Sequence, residues 1–253
     1  MKWKKRFFGS VIMILAMLFT ATPNVLAKSN TIKLPFDPNN FVSKIDNPYF
    51  PLKPGTTFIY RGETEGTPTR DVMTVTHKTK EILGVTTTVV HDRVYEDGVL
   101  TEDTLDWYAQ DKDGNVWYFG ENTKELDENG KVTSTEGTWQ AGVNGAEPGI
   151  VMLAHPKKGD KYQQEFAADV AEDMAQVLGF KDSLCVQYGC FKHVLVTKEW
   201  TPLEPGVVEN KYYAKGVGFI YSEMVKGGNE TLELVRIRHQ NGDSNDDGEN
   251  NND

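Results

Sequence analysis

The chain has 253 residues, 38% of them hydrophobic, which is enough for one sizeable β-rich domain or two small ones. Its formal net charge of −10 argues against nucleic acid and anionic lipid as partners, because both require clustered Lys and Arg.

The first 27 residues have the order of a secretory signal. Four basic residues precede an apolar run over 7–19, and Val25 and Ala27 supply small residues at the −3 and −1 positions. The apolar run is shorter than the roughly 20 residues that span a bilayer. A lipoprotein signal is followed by a cysteine, and this one is not, so a lipoprotein is disfavoured. The sequence therefore predicts a signal peptide over 1–27, cleavage before Lys28, a secreted or cell-envelope location and no membrane span in the mature chain.

The region after the signal is rich in strand and turn patterns. Residues 28–45 are polar and irregular, and predict an extended N-terminal segment. Beyond them, segments rich in Val, Thr and aromatic residues alternate with turn sequences such as Glu96-Asp97-Gly98, as is typical of antiparallel sheets. Strands are predicted over 56–61, 70–78, 84–95, 99–110, 116–120, 132–139, 162–166, 207–214, 218–225 and 231–238, with a strand-turn-strand unit over 185–200.

One segment allows two interpretations. Apolar residues recur at near-helical spacing over 166–178, but no clean helix cap precedes them, so a helix and a bent strand both remain open. The predicted fold is mainly β: an antiparallel meander, curved sheet or barrel-like arrangement with at most one or two short helices. It forms a single domain over 46–240, followed by a disordered acidic tail over 241–253.

Residues 105–121 hold two aromatic runs around an Asp-Lys-Asp-Gly-Asn turn, a strong hairpin pattern. We expect Trp107 and Trp117 to lie across from one another on its two arms. Adjacent aromatics on a strand point to opposite faces, so one set packs in the core and the other can line a groove. The candidate ligand-binding residues are Trp107, Trp117, Tyr118, Phe119 and Trp139, with Tyr108 and Trp200 as further aromatics of the same kind.

The turn itself carries alternate oxygen ligands, Asp111, Asp113 and Asn115, which suggest calcium. An EF-hand loop needs Gly at its sixth position and Glu at its twelfth. Here Gly114 is at the fourth and Asn122 at the twelfth, so a plain hairpin turn is favoured over a calcium site. No cofactor is predicted.

Two acidic groups offer the alternative of catalysis. Glu102, Asp103 and Asp106 precede the aromatics, and Glu172 with Asp173 forms a second group. Paired carboxylates beside aromatic rings are typical of glycosidases. Carboxylates of an acidic chain are mostly solvated surface, however, so a non-catalytic protein is favoured. The five histidines show no metal-ligand spacing.

Cys185 and Cys190 are the two cysteines of the chain, and the four residues between them are typical of a turn. An exported protein meets an oxidising environment, which favours a disulfide across a hairpin over two free thiols.

Three strings resemble an uncharacterised family of bacterial exported proteins: NPYFPLKPGT at 47–56, DWYAQDKDGNVWYFGE at 106–121 and TKEWTPLEPGVVE at 197–209. The stretch 211–220 is similar to a closing hairpin of periplasmic and lipoprotein-type β half-barrel proteins, a group that includes carriers and envelope accessory proteins. This second resemblance implies a curved sheet, and binding more than catalysis.

These observations predict a secreted, non-catalytic β-rich binding or cell-envelope accessory protein with an aromatic-lined groove. Its partner is expected to be a small molecule or an envelope component, and not nucleic acid. The alternative is an extracytoplasmic, glycosidase-like hydrolase that uses the paired carboxylates. A hydrolase requires two carboxylates facing each other across a cleft, whereas a binder requires a groove walled by rings.

Overall fold

The computed structural model describes residues 31–240. The predicted signal peptide (1–27) and acidic tail (241–253) lie outside the described residues, and the limits predicted for the single domain stay a prediction. Over 31–240, no helix has the length and apolarity needed to cross a bilayer.

Seventeen strands and one short 3₁₀ helix, Pro38–Asn40, make up the secondary structure of the described residues. The strands are β1 Thr31–Ile32, β2 Phe41–Val42, β3 Thr56–Thr64, β4 Thr67–Ile82, β5 Val85–Glu96, β6 Val99–Asp111, β7 Val116–Leu126, β8 Val132–Ser134, β9 Trp139–Gln140, β10 Glu147–Met152, β11 Lys161–Gln163, β12 Glu165–Phe166, β13 Met174–Val186, β14 Gly189–Trp200, β15 Val208–Ala214, β16 Gly218–Lys226 and β17 Glu230–His239.

The main strands form one curved antiparallel sheet that does not close on itself. Hydrogen-bonded neighbours run in the order β11-β13-β14-β15-β16-β17-β3-β4-β5-β6-β7-β10. Most neighbours are also consecutive in sequence, as in a meander, and β17 returns beside β3. The mainly β, antiparallel, curved-sheet prediction is confirmed.

Two hairpins close through turns with successive positive φ values. The sequence predicts the turn at Asp97-Gly98, whereas Gly84, predicted as the first residue of a strand, lies in the β4–β5 turn. Asp97 and Gly98 between β5 and β6 have φ values of 49° and 83°, and Leu83 and Gly84 between β4 and β5 have 52° and 78°. Two successive positive φ values match the right-handed twist of the flanking strands. The hairpin registers therefore follow from local sequence.

The helix considered for residues 166–178 is wrong, and the bent strand is right only in that the segment is extended at both ends: it holds the end of β12, a turn and the start of β13. The chain turns between Ala167 and Ala171, whose backbone groups bond reciprocally at 2.7 and 2.8 Å, and then enters β13. β13 is hydrogen-bonded to β11 on one side and β14 on the other. Because a strand with ladders on both sides satisfies its backbone groups, the sheet overrides the near-helical spacing of the apolar residues.

The central hairpin pairs different rings from those expected. Tyr108 lies opposite Tyr118, and Trp117 lies opposite Ala109, so the expected Trp107–Trp117 pairing is wrong. The register shifts between positions 106 and 108, and Gly120 on the facing strand has a φ of 123°. The turn sets the Trp117–Ala109 register, because the Asp111 backbone N–H donates to the Asn115 carbonyl at 2.9 Å. The β-bulge shifts by one place only the pairs that lie farther from the turn.

The predicted disulfide is confirmed. Cys185 and Cys190 face each other at the end of the β13–β14 hairpin and are bonded. This tip is also tied to the sheet, because the Tyr188 backbone N–H donates to the Leu234 carbonyl at 3.0 Å. The disulfide therefore joins the two strands at the hairpin tip, and the Tyr188 hydrogen bond holds that tip against β17.

Candidate functional site

The two faces of β7 hold different sets of rings. Trp117 and Phe119 are 4% and 0% exposed, and their ring centroids lie 5.6–6.2 Å from those of Phe36 and Phe41 in the N-terminal segment. Two of the five predicted ligand-binding aromatics are therefore covered by the segment that precedes the sheet, and they serve as core.

Tyr118 points to the opposite face of β7 and joins a continuous series of rings. It stacks on Tyr108 with centroids 4.7 Å apart and meets the edge of Trp139 at 5.5 Å. Neighbouring rings in the series are 4.7–6.5 Å apart, the usual range for stabilising aromatic contacts. The series consists of Phe58, Tyr60, Phe219, Tyr213, Phe50, Tyr108, Tyr118 and Trp139.

Beyond Trp139 the molecule has a cleft of about 440 Å³, here named the tryptophan cleft. It contains two of the five predicted aromatics, Trp107 and Trp139, each 5% exposed. The volume is within the range of small-molecule sites. The residues that line it are Lys80, Trp107, Asn122, Thr138, Trp139, Gln140, Val143, Asn144, Ala146, Ala167, Ala168 and Val170.

Six elements of the chain build this cleft. β4, β6, β7 and β9 supply one residue or more each, and the walls are completed by the Gly-rich loop 141–146 and the turn 167–171. The loop can approach the β4–β5 turn because Gly142 lacks a side chain: a Cβ there would lie 2.5 Å from Leu83 Cδ2. Gly142 also has a φ of 84°, which favours glycine.

The polar lining of the cleft has a definite charge. The Lys80 ammonium lies 3.3 Å from the centroid of the Trp107 ring, in a cation–π contact. Burial lowers the pKa of Lys80. The remaining polar side chains are neutral: Asn122, Thr138, Gln140 and Asn144. The local sequence does not identify Lys80 as a site residue, because it lies on a strand of alternating apolar and polar residues and is distant from Trp107 in the chain.

Next to the cleft lies a group of three carboxyls, here named the acidic cluster: the buried Asp106 and Glu121 and the half-buried Glu165. The Tyr118 hydroxyl donates to Asp106 Oδ1 at 2.6 Å, and its oxygen lies 3.1 Å from Glu121 Oε2. The Trp139 indole N–H donates to Glu165 Oε2 at 2.9 Å, so Trp139 connects the cluster to the cleft.

The carboxyls of the acidic cluster have pKa values well above those of ordinary carboxyl groups. Burial raises the pKa of Glu121, and the neighbouring charges of Glu165 and Asp106 raise it further. Burial likewise raises the pKa values of Asp106 and Glu165, against the lowering effect of the hydrogen bonds from Tyr118 and Trp139. Like charges enclosed together cannot all ionise cheaply, so full ionisation of the acidic cluster is disfavoured.

A second polar group, the lysine cluster, consists of Glu199, Glu209 and Lys211. The Lys211 ammonium lies 2.9 Å from Glu199 Oε2 and 3.5 Å from Glu209 Oε2. Burial alone would lower the pKa of Lys211, but the two carboxylates outweigh this effect and raise it. Burial raises the pKa of Glu209 to about 7, because one ammonium compensates two enclosed carboxyls incompletely.

The lysine cluster borders an inner cavity of about 60 Å³, which is also walled by Phe50, Tyr108 and Tyr213. A cavity of this size has room for a few water molecules and is well below the volume of a ligand site. The tryptophan cleft is therefore the stronger candidate for ligand binding.

The structure separates the carboxylates that the sequence grouped. Asp106 belongs to the acidic cluster, whereas Asp103 pairs with His91 and Glu102 accepts from the Thr104 hydroxyl. Of the second group, Glu172 accepts from the Asp169 backbone at the surface. None of these five predicted carboxylates lines the tryptophan cleft.

Asp173, from the second group, lies close to the lysine cluster. Burial raises its pKa to about 6, opposed by the positive charge of Lys211. Its charge also raises the pKa of Glu165, which links the neighbourhoods of Asp173 and Asp106. Sequence reasoning missed Glu121, Glu165, Glu199 and Glu209, because an acidic residue on an alternating strand reads as solvated surface.

The contacts at the predicted calcium position are those of a hydrogen-bonded turn. Asp111 Oδ1 accepts from the Asn115 backbone at 2.8 Å, and Oδ2 accepts from the Asn115 amide and the Trp117 indole at 2.8 and 2.9 Å. Asn115 Oδ1 accepts from the Ala154 backbone. These bonds explain why Asp111 and Asn115 are buried. Within residues 31–240, no group of three His, Cys, Asp or Glu has the arrangement of a metal site.

Comparison with known proteins gives no family for the chain: no family model and no curated protein matches it. Two solved structures are similar. One, from Bacteroides fragilis NCTC 9343, is described as an exported protein with a YmcC-like fold; it is 15% identical, with 75% of this chain and 98% of that chain covered and a TM-score of 0.46. The other, from Parabacteroides distasonis ATCC 8503, is described as a lipoprotein. It is 10% identical, with 75% of this chain and 98% of that chain covered and a TM-score of 0.38. At these identities and TM-scores neither structure identifies a function for this chain.

Proposed function

We propose that this is an exported, non-catalytic protein that binds a small sugar-type ligand, free or part of an envelope glycan, in the tryptophan cleft. The observation that carries the proposal is the cleft itself: about 440 Å³, walled by Trp107 and Trp139. Export is inferred from the order of basic, apolar and small residues over 1–27.

The chemistry of the walls supports a polyhydroxylated ring. An indole offers apolar surface to the C–H face of a sugar, and Trp139 supplies it here, because Lys80 covers the Trp107 ring. The side-chain amides of Asn122, Gln140 and Asn144 both donate and accept hydrogen bonds, as hydroxyl groups require. Trp107 and Trp139 are held by packing and, for Trp139, by the bond to Glu165, so the walls are in place before a ligand arrives.

The hydrolase alternative is less well supported at this site. The twelve residues that line the cleft include no Asp or Glu, whereas a glycosidase of the usual type needs two carboxyls that flank the scissile bond. The carboxyls nearest to the cleft are enclosed and bonded to Tyr118 and Trp139. Hydrolase activity stays an untested alternative that would need another surface.

The proposal is tested by saturation-transfer NMR titration with methyl β-glucoside and methyl β-glucuronide. Val143 is 47% exposed at the cleft mouth, so Val143→Tyr should fill the cleft without disturbing the core. The matched control is Val225→Tyr, at a residue that is 50% exposed on β16 and outside the cleft.

We expect saturable binding of at least one glycoside, weakened by about tenfold or more in Val143→Tyr, which corresponds to about 1.4 kcal/mol. Val225→Tyr should bind like the wild type. The proposal fails if neither glycoside binds, or if both tyrosine variants bind equally well.

A further inference from the structure

We infer that the ligand of the tryptophan cleft is anionic, a sugar ring that bears a carboxylate or phosphate, and that Lys80 is the residue that recognises this charge. The inference rests on the proposed function and names the ligand class of the same site. Its first support is position: the Lys80 ammonium lies inside the cleft lining, 3.3 Å from the Trp107 ring centroid.

The second support is charge balance. Lys80 is the one charged side chain among the twelve lining residues, and the others are apolar, amide or hydroxyl groups. Among residues 31–240, no carboxylate oxygen lies within ion-pair distance of the Lys80 ammonium. By contrast, the buried Lys211 has Glu199 and Glu209 as partners. An ammonium held in a cleft without a counter-charge favours an anion there.

The third support is the way in which Lys80 is held. Its ammonium covers the Trp107 face, so a ligand that enters the cleft meets a cation backed by an indole. The indole replaces part of the hydration shell of the ammonium, and this partial burial lowers the pKa of Lys80. A ligand anion replaces that missing solvation, which a neutral hydroxyl does less well.

Within residues 31–240, no carboxylate supplies this anion to Lys80. The chain has 37 acidic and 27 basic residues, so a cleft whose charged lining residue is a lysine has the opposite sign to the net charge of the chain. The amides of Asn122, Gln140 and Asn144 remain free to bind the ring hydroxyls while Lys80 binds the charge. Uncharged and anionic versions of one ring are thereby distinguished by a single residue.

The test compares methyl β-glucoside, which carries a hydroxymethyl group, with methyl β-glucuronide, which carries a carboxylate at the same ring position. Glucose 6-phosphate is added as the phosphate-bearing sugar. Titrations use the wild type, Lys80→Met and Lys80→Arg at low salt and again at high salt. Arg keeps the positive charge and can also lie over an indole, whereas Met keeps only the length and apolar character of the stem.

In the wild type we expect at least one anionic sugar to bind about tenfold or more tightly than the glucoside, and salt to reduce this preference. Lys80→Met should lose the preference, and Lys80→Arg should retain it. The relative affinities of glucuronide and phosphate identify the preferred anion.

The inference is overturned if the wild type binds the glucoside as tightly as both anions, or if Lys80→Met keeps the preference. In either case the proposed function stands, provided that Val143→Tyr still blocks binding. If no sugar binds at all, the proposed function and this inference fail together.

Discussion

Replacing Glu209 by Gln tests how the buried lysine cluster makes stability depend on pH. Glu209 is 4% exposed, and burial raises its pKa from 4.5 to about 7. Between these values the folded protein binds a proton that the unfolded chain has released, so the free energy of unfolding falls as pH rises. The contribution is complete below about pH 4.5 and is lost as pH rises through about 7.

The size of the effect follows from the shift. A change in pKa from 4.5 to about 7 corresponds to about 3 kcal/mol. Gln has nearly the shape of a protonated Glu but does not titrate, so the variant does not lose this contribution. From pH 4.5 to 8 we therefore expect the wild type to lose about 3 kcal/mol more stability than Glu209→Gln.

The assay is urea denaturation at pH 4.5, 5.5, 6.5 and 8. Asp106, Glu121, Glu165 and Asp173 are present in both proteins, so the difference between the two curves reports Glu209 together with its coupling to Glu199 and Lys211. Glu128→Gln, in an exposed turn, controls for the loss of one negative charge. Parallel pH profiles for the wild type and Glu209→Gln would refute the reasoning.

Three further outcomes are expected. Trp117→Ala should lower the free energy of unfolding by about 3–5 kcal/mol in urea melts, because the Trp117 ring is 4% exposed and hydrogen-bonded to Asp111. Trp200 is half-exposed, so Trp200→Ala should lower the free energy of unfolding much less. A Trp117→Ala variant that melts like the wild type would show that Trp117 is not part of the core. Replacing Cys185 and Cys190 by Ser should cost about 2 kcal/mol because the closed loop is short, and intact mass with alkylation would contradict the disulfide if it found two thiols in exported protein. N-terminal sequencing of protein from the medium should begin within a few residues of Lys28, and recovery in the membrane fraction with residue 1 intact would be evidence against the signal peptide.

Features that depend on residues adjacent in the chain were predictable from the sequence. Turns such as Asp97-Gly98 need positive φ values that Gly and Asp adopt, and strand residues alternate with a period of two. The mainly β fold and most strand positions follow from these two rules. The Cys185–Cys190 bond follows equally from a short turn between two thiols in a predicted exported chain.

The candidate site was only partly predictable. The sequence singles out Trp107 and Trp139 by residue type, but equally Trp117 and Phe119, and nothing local separates the two pairs. Phe36 and Phe41 decide the matter by covering the second pair, through contacts between distant parts of the chain.

The sequence by itself determined most of the strands, turns such as Asp97-Gly98, the disulfide and the supply of aromatic and acidic side chains. The tertiary structure alone decided that residues 174–186 form a strand, because ladders to β11 and β14 outweigh local spacing. It also decided that Lys80 lies over Trp107 and that Glu209 is enclosed beside one shared ammonium. Burial and charge act through space, so the properties of these side chains depend on distant segments that only the folded sheet brings together.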